Sequence, residues 1–315
     1  MTLSKNLGIK TDIICGPMYP CSNPELVAAV SNAGGIGIVQ PVTLTYVNGY
    51  DFREGLHYIK TLTDKPIGFN ALIEKSSKTY EKKMMKWIDI ALEEGILFFI
   101  TSLGNPAEVV KKVHAKGGLV YHDATETKWA DIAKKSGVDG LIAVNAQAGG
   151  HAGIYDKKRL FELLKPYGLP VVCAGGVGNK KEFDEAMKLG YSGVQMGTRF
   201  IASQECDVSV AYKEAIIESS EEDIVLSQNL TGVNVSIIKP KSFKAEDIKP
   251  NCFTAWALSK SWLKKPVRMF MALRSIYYLK KTRNSQTKDV VWQAGKSVEG
   301  IESIKKVSDI FEDFS

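Results

Sequence analysis

Residues 169–200 read LPVVCAGGVGNKKEFDEAMKLGYSGVQMGTRF, and they contain the clearest structural pattern in the chain. A run of small and β-branched residues, 169–173, leads into two glycines, and after a helical segment a second such run, 192–196, leads into Gly197. The first run does not alternate polar with apolar residues, and neither do most of the similar runs in the chain, which is typical of strands buried on both faces of a parallel sheet. The stretch therefore predicts a strand–helix–strand unit.

The same unit recurs upstream of this stretch. Six further apolar runs, separated by helical segments, occupy residues 13–16, 35–39, 66–70, 96–100, 119–122 and 140–144. Eight such units within the first 200 residues fit a closed (β/α)8 TIM barrel of the α/β class. An open, doubly wound sheet is the alternative that the same pattern allows.

Beyond Phe200 the pattern changes. Residues 201–315 read as mainly helical, with an irregular stretch at 228–250 and a long basic helix at 253–281. We therefore expect a barrel over residues 1–200 and a C-terminal extension over 201–315. This extension would cover the active-site end of the barrel as a lid or subdomain.

Composition limits the function classes. The 315 residues are 44% hydrophobic and 24% charged with a net charge of +6, which is ordinary for an enzyme and carries no nucleic-acid motif. No export signal and no membrane span are recognisable, so we expect a cytoplasmic protein. The five cysteines show no CxxC spacing, and we predict no metal site.

Reactive groups of such barrels lie on the loops that follow the strands. Glycines end two consecutive strands, at Gly175-Gly176 and at Gly197-Thr198. Backbone N–H groups can approach a ligand closely at such positions, and the last two strand ends of a barrel frequently bind phosphate. These four residues therefore predict a phosphate site; the alternative is that the glycines merely turn the chain.

Two histidines follow predicted strands. His151 comes after Gly149-Gly150 in a loop, and because histidine titrates near neutral pH it is the main candidate for a catalytic acid or base. His122 ends the fifth strand, where a ligand contact and a histidine packed at the barrel rim are equally good interpretations. Cys15 and Cys173 also end strands and read as small core residues.

Residues 262–283 form an amphipathic and basic segment. A lid helix with a solvated polar face is the preferred interpretation, since most amphipathic helices cover a core. An acidic carrier protein or a membrane surface would be alternative partners for this helix.

Taken together, the strand-end motifs resemble those of the nitronate monooxygenase family, formerly called 2-nitropropane dioxygenases. That family shares its fold with the FMN-dependent enoyl-acyl-carrier-protein reductases. The similarity extends from residue 5 to about residue 215, and a weaker one, over residues 292–301, matches the family's closing segment. The motifs, in chain order, are Gly16–Met18, Ala33–Gly37, Gly68–Asn70, Ala148–Gly153, Ala174–Val177 and Gln195–Phe200.

The resemblance implies an FMN enzyme in which His151 is the catalytic base or acid. The FMN phosphate would lie on the four residues of the predicted phosphate site, and the turn after the first strand and Asn70 would lie along the flavin ring and ribityl chain. The full set of residues implied to bind FMN is Gly16, Pro17, Met18, Asn70, His122, Gly149, Gly150, Ala174, Gly175, Gly176, Gln195, Met196, Gly197 and Thr198.

The implied activity is the oxidation of alkyl nitronates with O2. The alternative enzyme is an NAD(P)H-dependent FMN reductase of enoyl-acyl-carrier-protein or quinone substrates, for which an acyl carrier protein would be the partner. A third alternative is a flavin-binding or sensory protein without turnover, and His151 argues against it. A homodimer is left open.

Three positions depart from the family pattern. Asn145-Ala-Gln147 is uncharged where an acidic residue often precedes the Gly-Gly-His motif, and His122-Asp123 stands where some relatives carry a lysine near the flavin. The segment 232–235 lacks the arginine that the family carries there. All three lie on the substrate side of the expected site.

Overall fold

A computed structural model, which describes residues 2–74, 77–250 and 252–315, shows a closed parallel barrel. All eight strand runs are confirmed, in the order β1-β2-β3-β4-β5-β6-β8-β9, and the open sheet is excluded because β1 pairs with β9. The strands are β1 (Ile13–Cys15), β2 (Ile36–Val39), β3 (Ile67–Leu72), β4 (Phe98–Ser102), β5 (Leu119–Ala124), β6 (Gly140–Val144), β7 (Gly150–His151, outside the barrel), β8 (Val171–Ala174) and β9 (Gly193–Met196).

Amphipathic helices form the outer layer of the barrel. Side-chain caps start several of them: Asp51 accepts from the Arg53 N–H and Asn179 from the Glu182 N–H. The helices are α1 (Leu3–Leu7), α2 (Pro24–Asn32), α3 (Phe52–Leu62), α4 (Lys78–Glu93), α5 (Ala107–His114), α6 (Thr127–Lys135), α7 (Lys157–Leu164), α8 (Lys180–Leu189) and α9 (Thr198–Ile201).

The barrel interior is packed with branched and aromatic side chains, including Ile14, Ile100 and Ile142. At the amino end, Leu3 of α1 joins this cluster, and Asn6 Nδ2 donates to the hydroxyl of Tyr121 at 2.9 Å. The amino end is therefore closed, which leaves the carboxyl end of the strands for function.

The C-terminal part contains a sheet that the sequence pattern did not reveal. Its elements are α10 (Val210–Glu218), β10 (Ile224–Ser227), β11 (Val235–Ile238), α11 (Cys252–Ser259), α12 (Ser261–Thr282), β12 (Trp292–Gln293) and α13 (Val307–Asp313). Antiparallel β10, β11 and β12 form a small sheet, and β7 pairs with β11. These strands have two to four residues, which is too short for a readable alternation of polar and apolar residues.

Two expectations for this part are corrected. The stretch expected to be irregular contains β11, and the single helix expected over 253–281 is two helices, α11 and α12, separated by Lys260. The division into two domains stays a prediction. None of the helices among the described residues is long and apolar enough to cross a bilayer.

Helix α12 rests on loops at the carboxyl end of the barrel. The hydroxyl of Tyr19, in the loop after β1, donates to the carbonyl of Ile276 at 2.9 Å. Lys280 Nζ donates to the carbonyl of Tyr46, which lies beyond β2. Arg283, directly after the helix, pairs with Asp207 at 2.6 Å. The C-terminal part is thus attached at the end of the barrel where function is expected.

Candidate active site

Three polar side chains point into the carboxyl end of the barrel. Side chains alternate along a strand, so Asn70 shares the inward side with Gly68, Asp123 with Tyr121, and Gln195 with Gly193. A Cβ placed on Gly68 or Gly193 would meet interior side chains, and Tyr121 belongs to the interior cluster. These three residues form what we call the inward polar layer.

Each member of the inward polar layer has a buried oxygen without a partner. The atoms are Asn70 Oδ1, Asp123 Oδ1 and Gln195 Oε1. A buried acceptor without a donor costs about 1–3 kcal/mol, and such atoms in a folded protein call for an explanation. A bound group that donates hydrogen bonds at this end of the barrel would provide one.

The turn after β1 meets the end of β9 beside this layer. The Gly16 N–H donates to the Met196 carbonyl at 2.9 Å, and a Cβ on Gly16 would lie 3.0 Å from Gln195 Cγ. A Cβ on Gly197 would lie 3.2 Å from Met18 Sδ. The structure thus brings Gly16, Met18, Gln195 and Gly197 together, while the Met196 side chain packs in the core outside the barrel interior.

Gly175 and Gly176 form a tight turn after β8. Their φ angles are +112° and +68°, and a Cβ would overlap Asn145 Oδ1 at Gly175 and Gln147 Oε1 at Gly176. Both the backbone conformation and the close approach of the β6 loop therefore require glycine. Within the described parts of the chain, the two N–H groups donate to no protein acceptor and stay free for an anion.

The uncharged residues after β6 have a structural role. Fully buried Asn145 donates from Nδ2 to the Gly175 carbonyl at 2.9 Å, and its Oδ1 accepts from the Gln147 N–H at 2.8 Å. Its backbone carbonyl accepts from the Gly153 N–H at 3.2 Å. Asn145 thereby connects the loop after β6 with the glycine turn after β8, which an amide can do by donating and accepting at once.

Residues 294–297 close over these loops. The Gly295 N–H donates to Thr198 Oγ1 at 2.9 Å, and the Lys296 N–H donates to the Gln147 carbonyl at 2.9 Å. A Cβ on Gly149 would lie 2.9 Å from the Gly295 nitrogen. The segment with the weak family similarity is therefore part of the site wall, and the sequence alone did not assign any of its residues to the site.

His151 lies at the edge of the site in β7, opposite Val235 of β11. The ends of its loop are held by the close approach of Gly149 to Gly295 and by the hydrogen bond from Gly153 to Asn145. His151 itself is exposed, although desolvation by the surrounding protein lowers its pKa. This lowered pKa favours the neutral ring, which is able to accept a proton.

His122 points away from the inward polar layer. Its neighbour Tyr121 lies in the barrel interior, so His122 faces the helices together with Thr101, and both are fully buried. Thr101 Oγ1 donates to the Tyr121 carbonyl at 3.2 Å and lies 2.8 Å from His122 Nδ1. Burial lowers the pKa of His122 to about 4. The structure thus gives His122 the surroundings of a packed histidine at the rim.

Asp123 is the residue that the sequence reasoning passed over. It is partly exposed, it follows His122 directly, and burial of its carboxyl group raises its pKa to about 7. A carboxyl group with this pKa can donate or accept a proton near neutral pH. The sequence comparison with the family had placed His122-Asp123 on the substrate side but had given Asp123 no role, since a strand without alternation does not show which of its side chains point inward.

The cysteines and candidate metal ligands add no further chemistry. Cys15 and Cys173 are buried, and burial raises the pKa of both thiols, that of Cys173 to about 12. They are therefore small core residues, as expected. No group of three or more potential metal ligands occurs within residues 2–74, 77–250 and 252–315.

A closed (β/α)8 barrel with glycine turns and unpaired polar atoms at its carboxyl end is the arrangement of a barrel enzyme. Residues 1–314 match the family model described as nitronate monooxygenase, and the chain belongs to this family. Its named members are oxidoreductases.

One of the similar proteins carries the name of this family, and two others are named differently. The chain is 30% identical to a nitronate monooxygenase of Pseudomonas aeruginosa over 253 residues, covering 67% of this chain and 71% of that protein. It is 29% identical to a 5-hydroxy-7a-methyl-1-oxo-octahydro-indene-4-carboxyl-CoA dehydrogenase of Rhodococcus jostii over 232 residues, which are 73% of this chain and 63% of that protein. The structure of FabK from Thermotoga maritima superposes with a TM-score of 0.80 at 26% identity, covering 99% of this chain and 94% of FabK.

Proposed function

We propose that this chain binds FMN at the carboxyl end of the barrel and oxidises alkyl nitronates with O2. Members of the nitronate monooxygenase family are generally flavoproteins, which supports a flavin here. The observation that carries the proposal is the inward polar layer, whose three buried oxygens have no partner. FMN offers N–H and O–H donors to such acceptors and a phosphate to the glycine turns.

The residues present fit this group. The free N–H groups of Gly175 and Gly176 would hold the phosphate, with Gly197 and Thr198 beside them. Asn70 and Gln195, with the turn Gly16–Met18, would lie along the flavin ring and ribityl chain. When bound, FMN supplies the electron-accepting ring, and the protein supplies orientation and local charge.

The chain's own residues would prepare the substrate. The neutral ring of His151 would take a proton from the carbon of a neutral nitroalkane through a ring nitrogen. Asn145 and Gln147, uncharged where an acid often stands in relatives, place no negative charge near an anionic nitronate. Residues 294–297, which close over the loops after β6 and β9, would help to keep water from the site.

The second candidate is an NAD(P)H-dependent reductase of enoyl thioesters or quinones. The superposition with FabK over 99% of this chain supports it, and the basic helix α12 would be the surface for an acyl carrier protein. A cytoplasmic location and a homodimer remain predictions.

Anaerobic reduction of the purified protein separates these candidates. Propyl nitronate is added to one sample and NADH or NADPH to another, and the flavin absorbance is followed. We expect propyl nitronate alone to change the flavin spectrum. Rapid bleaching by a pyridine nucleotide only would favour the reductase, and a protein that contains and binds no flavin would refute the proposal.

Substitution of His151 tests its assigned role. His151→Asn removes the base and leaves the glycine turns intact, so we expect turnover of neutral nitroalkanes to fall about 10²–10⁴-fold while FMN stays bound. The control is His57→Asn on α3, whose side chain is exposed and remote from the strand ends. Unchanged turnover in His151→Asn would remove this residue from the mechanism.

A further inference from the structure

Helix α12 carries a row of exposed apolar side chains, which we call the outer face of α12. Its six members recur at helical spacing and therefore lie on one side of the helix. They are Trp262 (73% exposed), Met269 (44%), Phe270 (68%), Leu273 (63%), Ile276 (39%) and Tyr277 (72%). The expectation that the solvated face of this helix is polar is therefore corrected, since large apolar side chains form most of the exposed face. Its role as a lid stays a prediction.

The opposite side of the same helix is buried against the protein. Met271, Ser275 and Leu279 are at most 7% exposed. The hydrogen bond from Tyr19 to Ile276 and the ion pair of Arg283 with Asp207 hold the helix in place. The outer face is thus presented by an attached helix, and a continuous apolar row of this kind marks an interaction surface.

Charge indicates what kind of partner fits this surface. Residues 248–288 contain ten lysines and arginines and no aspartate or glutamate. The positive charge of this segment therefore exceeds the net charge of +6 of the whole chain. Lys264, Arg274 and Lys281 are exposed on α12 and form no ion pair with any described residue. The partner must therefore be anionic, and a second copy of the same positive segment would be repelled.

We propose that the outer face of α12 docks on the surface of an anionic phospholipid bilayer. Apolar side chains on the crest of a helix with cations beside them are typical of helices that lie in the headgroup region. Trp262 and Tyr277 have the amphipathic rings that favour this interface. Arg274 and Lys281, which flank the apolar row, would reach lipid phosphates while their aliphatic stems stay on the apolar side.

An acidic protein partner is the weaker interpretation. Such a partner would have to enclose a convex ridge on which the apolar side chains are 39–73% exposed, whereas a bilayer accepts a protruding helix without a matching groove. Because α12 rests on the loops after β1 and β2, docking would bring the barrel mouth close to the membrane.

Vesicle flotation of the purified, FMN-containing protein tests the proposal. We expect binding to vesicles of phosphatidylcholine mixed with phosphatidylglycerol and none to phosphatidylcholine alone. Each basic residue near an anionic surface is worth about 1 kcal/mol, so the double variant Arg274→Gln/Lys281→Gln should bind about 30-fold more weakly. The control is Lys111→Gln/Lys188→Gln, which removes two exposed charges from α5 and α8 and should bind like the wild type.

The apolar contribution has its own pair of variants. Phe270→Ser/Leu273→Ser should abolish flotation, whereas Leu97→Ser, which alters a 45% exposed side chain next to β4, should not. Unchanged FMN content shows that each variant is folded.

Several outcomes would overturn the proposal. Among them are failure of the wild type to bind the mixed vesicles, equal binding to both vesicle types, and a dimer in solution that Phe270→Ser/Leu273→Ser dissociates while no vesicles are bound. Binding of a purified acyl carrier protein through α12 without vesicle binding would equally refute it.

Discussion

His122 and Asp123 are neighbours in β5, yet their surroundings are opposite. His122 is fully buried on the side of the helices, next to Thr101, and burial lowers its pKa to about 4. Asp123 points into the barrel, has an oxygen without a partner, and its pKa is raised to about 7. Burial acts on both residues, but it favours the neutral base in one and the neutral acid in the other.

The comparison extends to the two sides of the barrel wall. On the outer side, Thr101 Oγ1 and His122 Nδ1 are hydrogen-bonded to each other at 2.8 Å, which is typical of groups that stabilise a fold, while His122 Nε2 is buried on the side of the helices without a partner among the described residues. On the inner side, Asn70, Asp123 and Gln195 leave acceptors open, which is typical of groups arranged for a ligand. Substitutions on the inner side should therefore alter FMN binding, and substitutions on the outer side should alter stability.

The largest effect is expected at the glycine turn that borders the inner side. Gly175→Val would force a branched side chain into Asn145 at a φ of +112°, so FMN affinity should fall about 100-fold. Fluorescence titration with FMN measures this loss. The control is Gly117→Val, at a φ of +73° but with open space around it. Equal FMN affinity of the two variants would contradict the assignment of the turn.

A pair of substitutions tests the two sides directly. Asn70→Leu removes an acceptor from the inner side, so FMN affinity should fall about tenfold while the FMN-free protein keeps its stability. Thr101→Val removes the hydrogen bond to His122 on the outer side, so the free energy of unfolding should fall by about 1–2 kcal/mol with FMN affinity unchanged. Thermal melts and FMN titrations measure both. The reverse pattern would contradict the comparison.

The smallest effect concerns the pH dependence of Asp123. Between pH about 4, where an unfolded aspartate titrates, and its folded pKa of about 7, the folded chain holds a proton that the unfolded chain releases. Stability from this group is therefore complete below pH about 4 and is lost as pH rises through about 7. Asp123→Asn should remove that loss.

Melts of the FMN-free protein at about pH 5 and about pH 8 measure this difference. Because Asp123 is partly exposed, we expect a gain on the order of 1 kcal/mol for Asp123→Asn at the higher pH. Asp309→Asn, at an exposed position on α13, is the control and should leave the pH dependence of the wild type in place. A variant that loses stability at the higher pH would show that the carboxylate is stabilised in the folded state.

Much of the site could be predicted because, in a closed parallel barrel, the residues that follow each strand all lie at the same end. Once eight strands are recognised, their carboxyl ends must meet, and the structure does bring Gly16, Gln195 and Gly197 together. Contacts between distant segments could not be predicted in this way. The hydrogen bond of Gly295 with Thr198 joins residues 97 positions apart, and β7 pairs with β11 through only two residues.

The order of apolar runs and glycines along the chain was sufficient to predict the barrel and the two glycine turns. Buried parallel strands and tight turns each restrict the residue types that can occupy them. Only the tertiary structure showed that Asp123 rather than His122 faces the interior, because an unalternating strand does not reveal which side chains point inward. It alone showed that α12 exposes its apolar side chains, because an amphipathic pattern identifies two faces and only the packing of the rest of the chain determines which is covered.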